Sequence, residues 1–182
     1  MTCIVAAKSD KGVWMGADSL GVDVGRLSCS ARKDPKIFYN GCWLIGCTSS
    51  FRMIQLLMFN NLPQPPDKEE DLFPFMIMEF VPAIRKLFEK GGYAKKKDGQ
   101  EEGGCFLVAF RNHIFKIDGD YQVAENLAPF DACGCGEPYA IGAMYTLNDM
   151  LETPEIMITY ALRAAATFSA GVRGPFTILK AK

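Results

Sequence analysis

A single histidine, His113, stands in 182 residues. Structural zinc asks for four thiolate or imidazole ligands. The close pair Cys133 and Cys135 in DACGCGEPYA has no such set around it, so it does not read as a zinc site. No apolar run approaches the roughly 20 residues of a membrane span. The N-terminus also lacks the basic segment and long apolar core of a secretory signal. No membrane partner and a cytoplasmic location are therefore expected. Neither charge sign is in excess, with 20 Lys+Arg against 21 Asp+Glu and a net charge of −1. A dedicated nucleic-acid binder usually carries a basic face, so no nucleic-acid partner is expected. There is no P-loop, so this chain would not itself hydrolyse ATP. The seven cysteines are odd in number and follow no disulfide framework. Most lie in apolar runs such as GCWLIGC and GGCFLVAF, where a free thiol acts as a small buried hydrophobe in a reducing compartment.

The length fits one medium domain, taken as 1–182, with no internal repeat and no clear linker. TCIVAAK (2–8) and VWMGAD (13–18) read as strands around the turn SDKG. A polar stretch runs through Ser30. KIFYNGCWLIGC reads as a second hairpin with Asn40-Gly41 as its turn. The first fifty residues are thus read as two antiparallel hairpins. SSFRMIQLLMFNN changes to helical spacing at Phe51, Ile54, Leu57 and Met58, with Ser49 or Ser50 as cap. After the Pro-rich connector LPQPPDKEED, the segment DLFPFMIMEFVPAIRKLFEKGG reads as a helix ending at Gly91. Pro74 suits its first turn, whereas Pro82 predicts a kink or break. YAKKKDGQEEGG (93–104) reads as an exposed charged loop. CFLVAF and HIFKID read as strands joined at Arg111-Asn112, with a short strand near Tyr121–Val123. YAIGAMYTLNDML and EIMITYALRAAATFSAG read as helices, the second opened by Thr153-Pro154. PFTILK reads as a final strand. Paired helices alternating with antiparallel hairpins point to a layered α+β sandwich rather than a doubly wound parallel sheet.

The opening TCIVAAKSDKGVWMGADSLG carries the candidate chemistry. A threonine hydroxyl is a weak nucleophile that needs a base. Removal of Met1 would supply one, because an α-amine ordinarily titrates at about 7.7–8.0. Asp18 closes the second strand and Lys36 opens the next one in DPKIF. An ammonium beside Thr2 would lower the hydroxyl pKa and disfavour protonation of the amine, and a carboxylate would hold that ammonium. Read without that context, both are strand-end surface charges. Cys3 is not read as the nucleophile, because neighbouring strand residues point to opposite faces and its own amine stays in the chain.

These residues resemble proteasome β-type subunits and the bacterial HslV (ClpQ) peptidases. Asp18 in MGADS lies sixteen residues after Thr2, as in that family, and KIF matches its K-(I/L)-(F/Y) motif. LIGCTSSF resembles its apolar strand, small-residue turn and helix. GCGEPYAIGAMY resembles its G-S-G-x-x-Y-A-x-G segment. The resemblance covers essentially the whole chain and implies the N-terminal nucleophile (Ntn) hydrolase fold, a four-layer αββα sandwich. It implies peptide-bond hydrolysis through an acyl-enzyme on Thr2, with Asp18 and Lys36 as a supporting pair. The backbone N–H of Ser49 becomes the oxyanion donor. Cys135 takes the place of the family's serine beside the amine, where a thiol is a poorer hydrogen-bond partner. The family's late Asp-x-x-Ser has no match in TFSAGVRG, and HslV-type chains also lack that aspartate. The resemblance further implies a peptide or unfolded-protein substrate, a homo-oligomeric ring and an ATP-dependent unfoldase partner. It implies no cofactor beyond a structural monovalent cation near the last helix turn. Two other readings stand beside it: a non-peptidase amidohydrolase on the same fold, and a catalytically silent assembly protein.

Overall fold

A computed structural model describes residues 1–97, 99–150 and 152–182. The chain opens with the hairpin β1 (Cys3–Ser9) and β2 (Gly12–Ala17). It continues through β3 (Leu20–Asp23), β4 (Ser28–Ala31), β5 (Ile37–Asn40) and β6 (Trp43–Cys47). Helix α1 (Phe51–Phe59) follows, then α2 (Leu72–Phe75), a π-helical turn Met76–Phe80 and α3 (Val81–Lys90). Next come β7 (Lys95–Lys97), β8 (Gln100–Glu102), β9 (Phe106–Phe110), β10 (His113–Ile117), β11 (Val123–Glu125) and β12 (Phe130–Gly134). Helices α4 (Glu137–Asp149) and α5 (Pro154–Phe168) precede the last strand, β13 (Thr177–Lys180).

Two antiparallel sheets form the centre, with strand orders β12-β1-β2-β13 and β11-β10-β9-β6-β5. Period-two alternation assigns each strand's side chains to two different cores. On β1, Ile4 and Ala6 point between the sheets, where they meet Leu44, Leu107 and Cys133. Cys3, Val5 and Ala7 point outward onto α4 and α5, against Ala140, Ile158 and Leu162. On β6 and β9, Trp43, Ile45, Phe106 and Val108 face α1, α2 and α3. The layers are therefore helix, sheet, sheet, helix: the αββα sandwich expected from the sequence. Among the described residues no helix is long and apolar enough to cross a membrane.

Several sequence expectations are corrected. The stretch before Ser30 is not an unpaired connector: β3 and β4 form a third hairpin within the first fifty residues. Strand β4 is exposed along its whole length, so it carries no apolar alternation to read. The second turn is Gly41-Cys42 rather than Asn40-Gly41, because Asn40 pairs with Trp43 as a strand residue. Its amide instead donates to Leu57 O and Asn60 O, each at 2.7 Å, tying the strand to α1. The expected loop at 93–104 contains the hairpin β7-β8. DACGCG was given no strand, yet it supplies most of β12, the edge partner of β1. The short strand sought near Tyr121–Val123 is Val123–Glu125, with Tyr121 in a left-handed turn before it. At Pro82 the helix neither breaks nor simply kinks. Val81 N–H bonds back five residues to Met76 O, and this wider π turn accommodates the following proline. Ser50, not Ser49, caps α1 by accepting from Arg52 N at 3.1 Å, and Thr153 caps α5. Leu151, expected as the last residue of α4, lies outside the described residues.

Candidate active site

Thr2 lies immediately before β1, on the parity that faces the space between the sheets, and is only 5% exposed. Strand β12 passes beside it. Gly134 holds a φ of +99°, and a Cβ there would meet the Thr2 carbonyl, so glycine lets the strand come this close. Gly136 is equally constrained: its N–H donates to Thr2 O at 3.3 Å, and a Cβ would press on Cys3. The two glycines of GCG thus bring Cys135 to Thr2. Thr2 N–H donates to Cys135 Sγ at 3.3 Å, and the thiol approaches Thr2 O at 3.5 Å.

Asp18 and Lys36 are not surface charges. Their side chains are 0% and 2% exposed, and Lys36 Nζ donates to Asp18 Oδ1 at 2.9 Å. The ammonium donates again to Leu20 O at 2.7 Å. The carboxylate also accepts from the backbone N–H of Cys3 and Leu20, each at 3.0 Å, and of Arg173 at 3.4 Å. These bonds join the start of β1, the end of β2 and the loop after α5. Burial pulls the Lys36 ammonium below its ordinary range, and the neighbouring Asp18 charge opposes that shift.

Ser49 sits in the turn between β6 and α1 with a φ of +46°, a conformation uncommon outside glycine. Its hydroxyl accepts from Cys105 N at 3.1 Å and lies 3.2 Å from Thr48 Oγ1, so the side chain braces the turn. Thr2, Lys36 and Ser49 border one small cavity together with Val22, Thr48, Ser50, Phe51, Ile54 and Met1. All five residues singled out from the sequence therefore converge: Thr2, Lys36 and Ser49 on the cavity, Asp18 behind Lys36, and Cys135 beside the Thr2 nitrogen.

Sequence reasoning missed Ser169. Its hydroxyl reaches Cys135 Sγ at 3.5 Å and accepts from Gly171 N at 3.4 Å. The only local signal was a serine in the turn after the last helix. Cys3 faces away from the cavity, fully buried under α5, with its thiol pushed up to about 12 by burial and then by the Asp18 charge. Cys133 points between the sheets while Cys135 is exposed, so the two do not share an environment. Among the described residues no group of three or more His, Cys, Asp or Glu side chains is placed to hold a metal ion.

In the structure the Thr2 nitrogen is part of the peptide bond to Met1, and the Thr2 hydroxyl donates to Met1 O. The Met1 side chain rests against Gly171, where an added Cβ would collide with it and with Cys135 Sγ.

Solved structures share this arrangement of layers. The fold is that of the proteasome-like Ntn hydrolases. BPH from Thiobacillus denitrificans, solved in complex with epoxomicin, superposes with a TM-score of 0.79 at 22% identity over 100% of both chains. HslV from Trypanosoma brucei gives 0.70 at 18% identity over 98% of each chain. An Anbu (Gly-1) mutant from Hyphomicrobium sp. strain MC1 gives 0.65 at 13% identity, covering 99% of this chain and 81% of that one. No family model matches the sequence, and no curated protein does. The likeness to the Ntn hydrolases is thus one of fold.

Proposed function

We propose that this chain is a threonine peptidase of Ntn type, cleaving peptide bonds through Thr2 once Met1 has been removed. The observation that carries the reading is the cavity shared by Thr2, Lys36 and Ser49, with the Lys36 charge fixed by a buried carboxylate. Loss of Met1 would free the Thr2 α-amine beside Cys135. The amine takes the Oγ proton, directly or through one water, as Oγ attacks the scissile carbonyl. Lys36 favours the developing alkoxide. The N–H of Ser49 is assigned to the carbonyl oxygen as it becomes an oxyanion. The protonated amine then gives its proton to the leaving amine, which departs and leaves an ester on Thr2. Water, deprotonated by the same amine, hydrolyses that ester. The steps need no cofactor. Family resemblance extends the proposal to a homo-oligomeric ring that encloses the nucleophiles and receives unfolded protein from an ATP-dependent unfoldase.

A second reading, a catalytically silent assembly protein in which Met1 stays, is favoured by one observation: the partner of the Thr2 nitrogen is the Cys135 thiol at 3.3 Å, a weaker one than a hydroxyl. The experiment is intact-mass analysis of the purified native-sequence protein after treatment with a peptide epoxyketone. This warhead closes on an α-amine and a hydroxyl of one residue, and epoxomicin, seen with BPH, belongs to that class. The expected result is a mass lacking Met1 plus one adduct per chain, absent from Thr2→Ala. Retention of Met1 with no adduct would establish the silent reading.

A further inference from the structure

Two thiols meet behind the candidate active site. Cys105 directly precedes β9 and shares the parity of Leu107 and Ala109, which face the space between the sheets. Its side chain packs against that core, which also contains Cys133 of β12. The sheets come close at this end: a Cβ on Gly134, the neighbour of Cys133, would stand 3.1 Å from Thr48 Cγ2. Thr48 is in turn bonded to Cys105. Burial first, and then hydrogen bonding with the Cys105 thiol, push the Cys133 thiol up. The two sulfurs differ in access. Cys133 is fully buried, whereas Cys105 is half-buried and its thiol donates to Asp118 Oδ1 at 3.5 Å. A small oxidant therefore reaches Cys105 first. Cys47 is fully buried too, but it belongs to the core under α1, α2 and α3.

Each thiol is tied by its backbone to a different part of the site. Cys105 O accepts from Thr48 N at 3.1 Å and from Thr48 Oγ1 at 2.7 Å. Cys105 N donates to Ser49 Oγ at 3.1 Å. These three bonds hold the turn whose Ser49 N–H is assigned to the oxyanion. Cys133 pairs with Ile4 and continues into Gly134, which lies against the Thr2 carbonyl. Joining the sulfurs would pull the Ser49 turn and the strand beside Thr2 toward each other. In a catalytic site about 1 Å of misplacement can cost about a hundredfold in rate.

We propose that Cys105 and Cys133 form a reversible disulfide when the protein meets a peroxide, and that this bond switches off the Thr2 site by displacing the Ser49 turn. The switch rests on the peptidase reading; the pairing of the thiols does not. The Cys105 sulfur, giving its proton to Asp118, attacks one peroxide oxygen. The O–O bond breaks, the released hydroxide takes that proton and leaves as water, and Cys105 becomes a sulfenic acid. The Cys133 thiol then attacks this sulfur. The S–S bond forms, the S–O bond breaks, and the departing hydroxide takes the Cys133 proton as a second water. The two thiols together lose two electrons, and the peroxide gains them. A dithiol reverses the step by exchange.

The test uses the native-sequence protein and Cys135→Ser, which lacks the exposed thiol beside Thr2. Both are reduced, treated with hydrogen peroxide and mapped by non-reducing proteolysis with mass spectrometry. The rate of epoxyketone adduct formation is then measured, and the rate in Cys135→Ser decides, because no thiol remains beside Thr2. The expected result is a loss of two hydrogens, with the Cys105 and Cys133 peptides joined. The adduct rate should fall about tenfold or more, and dithiothreitol should restore it. Adding Cys105→Ser or Cys133→Ala should abolish both the joined peptides and the fall in rate. Absence of that joined pair, or pairing of either cysteine elsewhere, would overturn the proposal. So would the joined pair with an unchanged rate. No adduct on the reduced protein would remove the peptidase reading and the switch with it, while joined peptides would still establish the thiol pair.

Discussion

Asp18 and Lys36 lie where a single charge could not remain alone. Five hydrogen bonds converge on the pair, three of them from backbone N–H groups to the carboxylate. Removing one partner leaves the other buried and uncompensated, at a typical cost of about 3–5 kcal/mol. Asp18→Asn and Lys36→Met are each expected to lose stability of that order in urea unfolding. The double variant should recover part of the loss, because neither charge then remains. Equal losses in the single and double variants would mean that the carboxylate matters only as an acceptor for backbone. Cys135 belongs to the same scale. A thiol at 3.3 Å is a weak partner for the Thr2 nitrogen, and a hydroxyl is a stronger one. Cys135→Ser is therefore expected to raise the rate of epoxyketone adduct formation several-fold, about 1 kcal/mol of added support for the amine. Cys135→Ala should lower it, and Ser169→Ala should lower it in the serine variant but little in Cys135→Ala.

At the scale of elements, the helix from Leu72 to Lys90 shows how a local conflict is resolved. A proline inside a regular α-helix costs about 3 kcal/mol through its missing donor and its clash with the preceding turn. Here the turn Met76–Phe80 is already widened, with Val81 N–H reaching Met76 O. Pro82→Ala is therefore expected to change the unfolding free energy by less than about 1 kcal/mol. A gain near 3 kcal/mol would show that the turn had not accommodated the ring. The sequence showed that Pro82 must disturb the helix, but not how, because a π turn has no residue signature of its own. The same division holds elsewhere. The hairpin β1-β2 was legible as two short apolar runs, buried on both faces, around a turn signal, and helix α1 by its helical repeat and its cap. Strand β4 was not, being exposed throughout. Strand β12 was not, because FDACG lacks β-branched residues and is recognisable only by its pairing with β1. Four of the five site residues lie within two residues of the ends of strands β1, β2, β5 and β6, so motif spacing could reach them. Cys135 was recognised through the GCG motif. Ser169 lies 34 positions from its partner Cys135, and only the folded chain brings the two together.

The whole molecule carries one deeply buried thiol in each of its three apolar layers. Cys3 lies under α4 and α5, Cys47 under α1, α2 and α3, and Cys133 between the sheets. Burial raises all three, and Cys3 moves from 9.0 to about 12. The unfolded chain therefore loses protons from about pH 9, whereas the folded chain keeps that of Cys3 until about pH 12. Between those values the unfolded state binds fewer protons than the native state, so stability falls as pH rises. The contribution is complete below the unfolded pKa and is lost across this alkaline window. Each such thiol contributes a slope of up to about 1.4 kcal/mol per pH unit. Because each layer holds one of them, the loss is expected to appear as a single cooperative transition rather than as fraying of one face. Urea midpoints should drop steadily from about pH 9 upward. Cys3→Ala should lower stability at neutral pH through its cavity but flatten the alkaline slope. Replacing all three thiols should flatten it further. An alkaline slope unchanged in that triple variant would assign it to the tyrosines outweighing the buried Lys36 instead. Those groups have opposite signs: Tyr93 and Tyr121, raised by burial, add to the alkaline loss. Lys36, lowered by burial, opposes it, because the folded state gives up its proton first and gains stability as pH climbs toward 10.5.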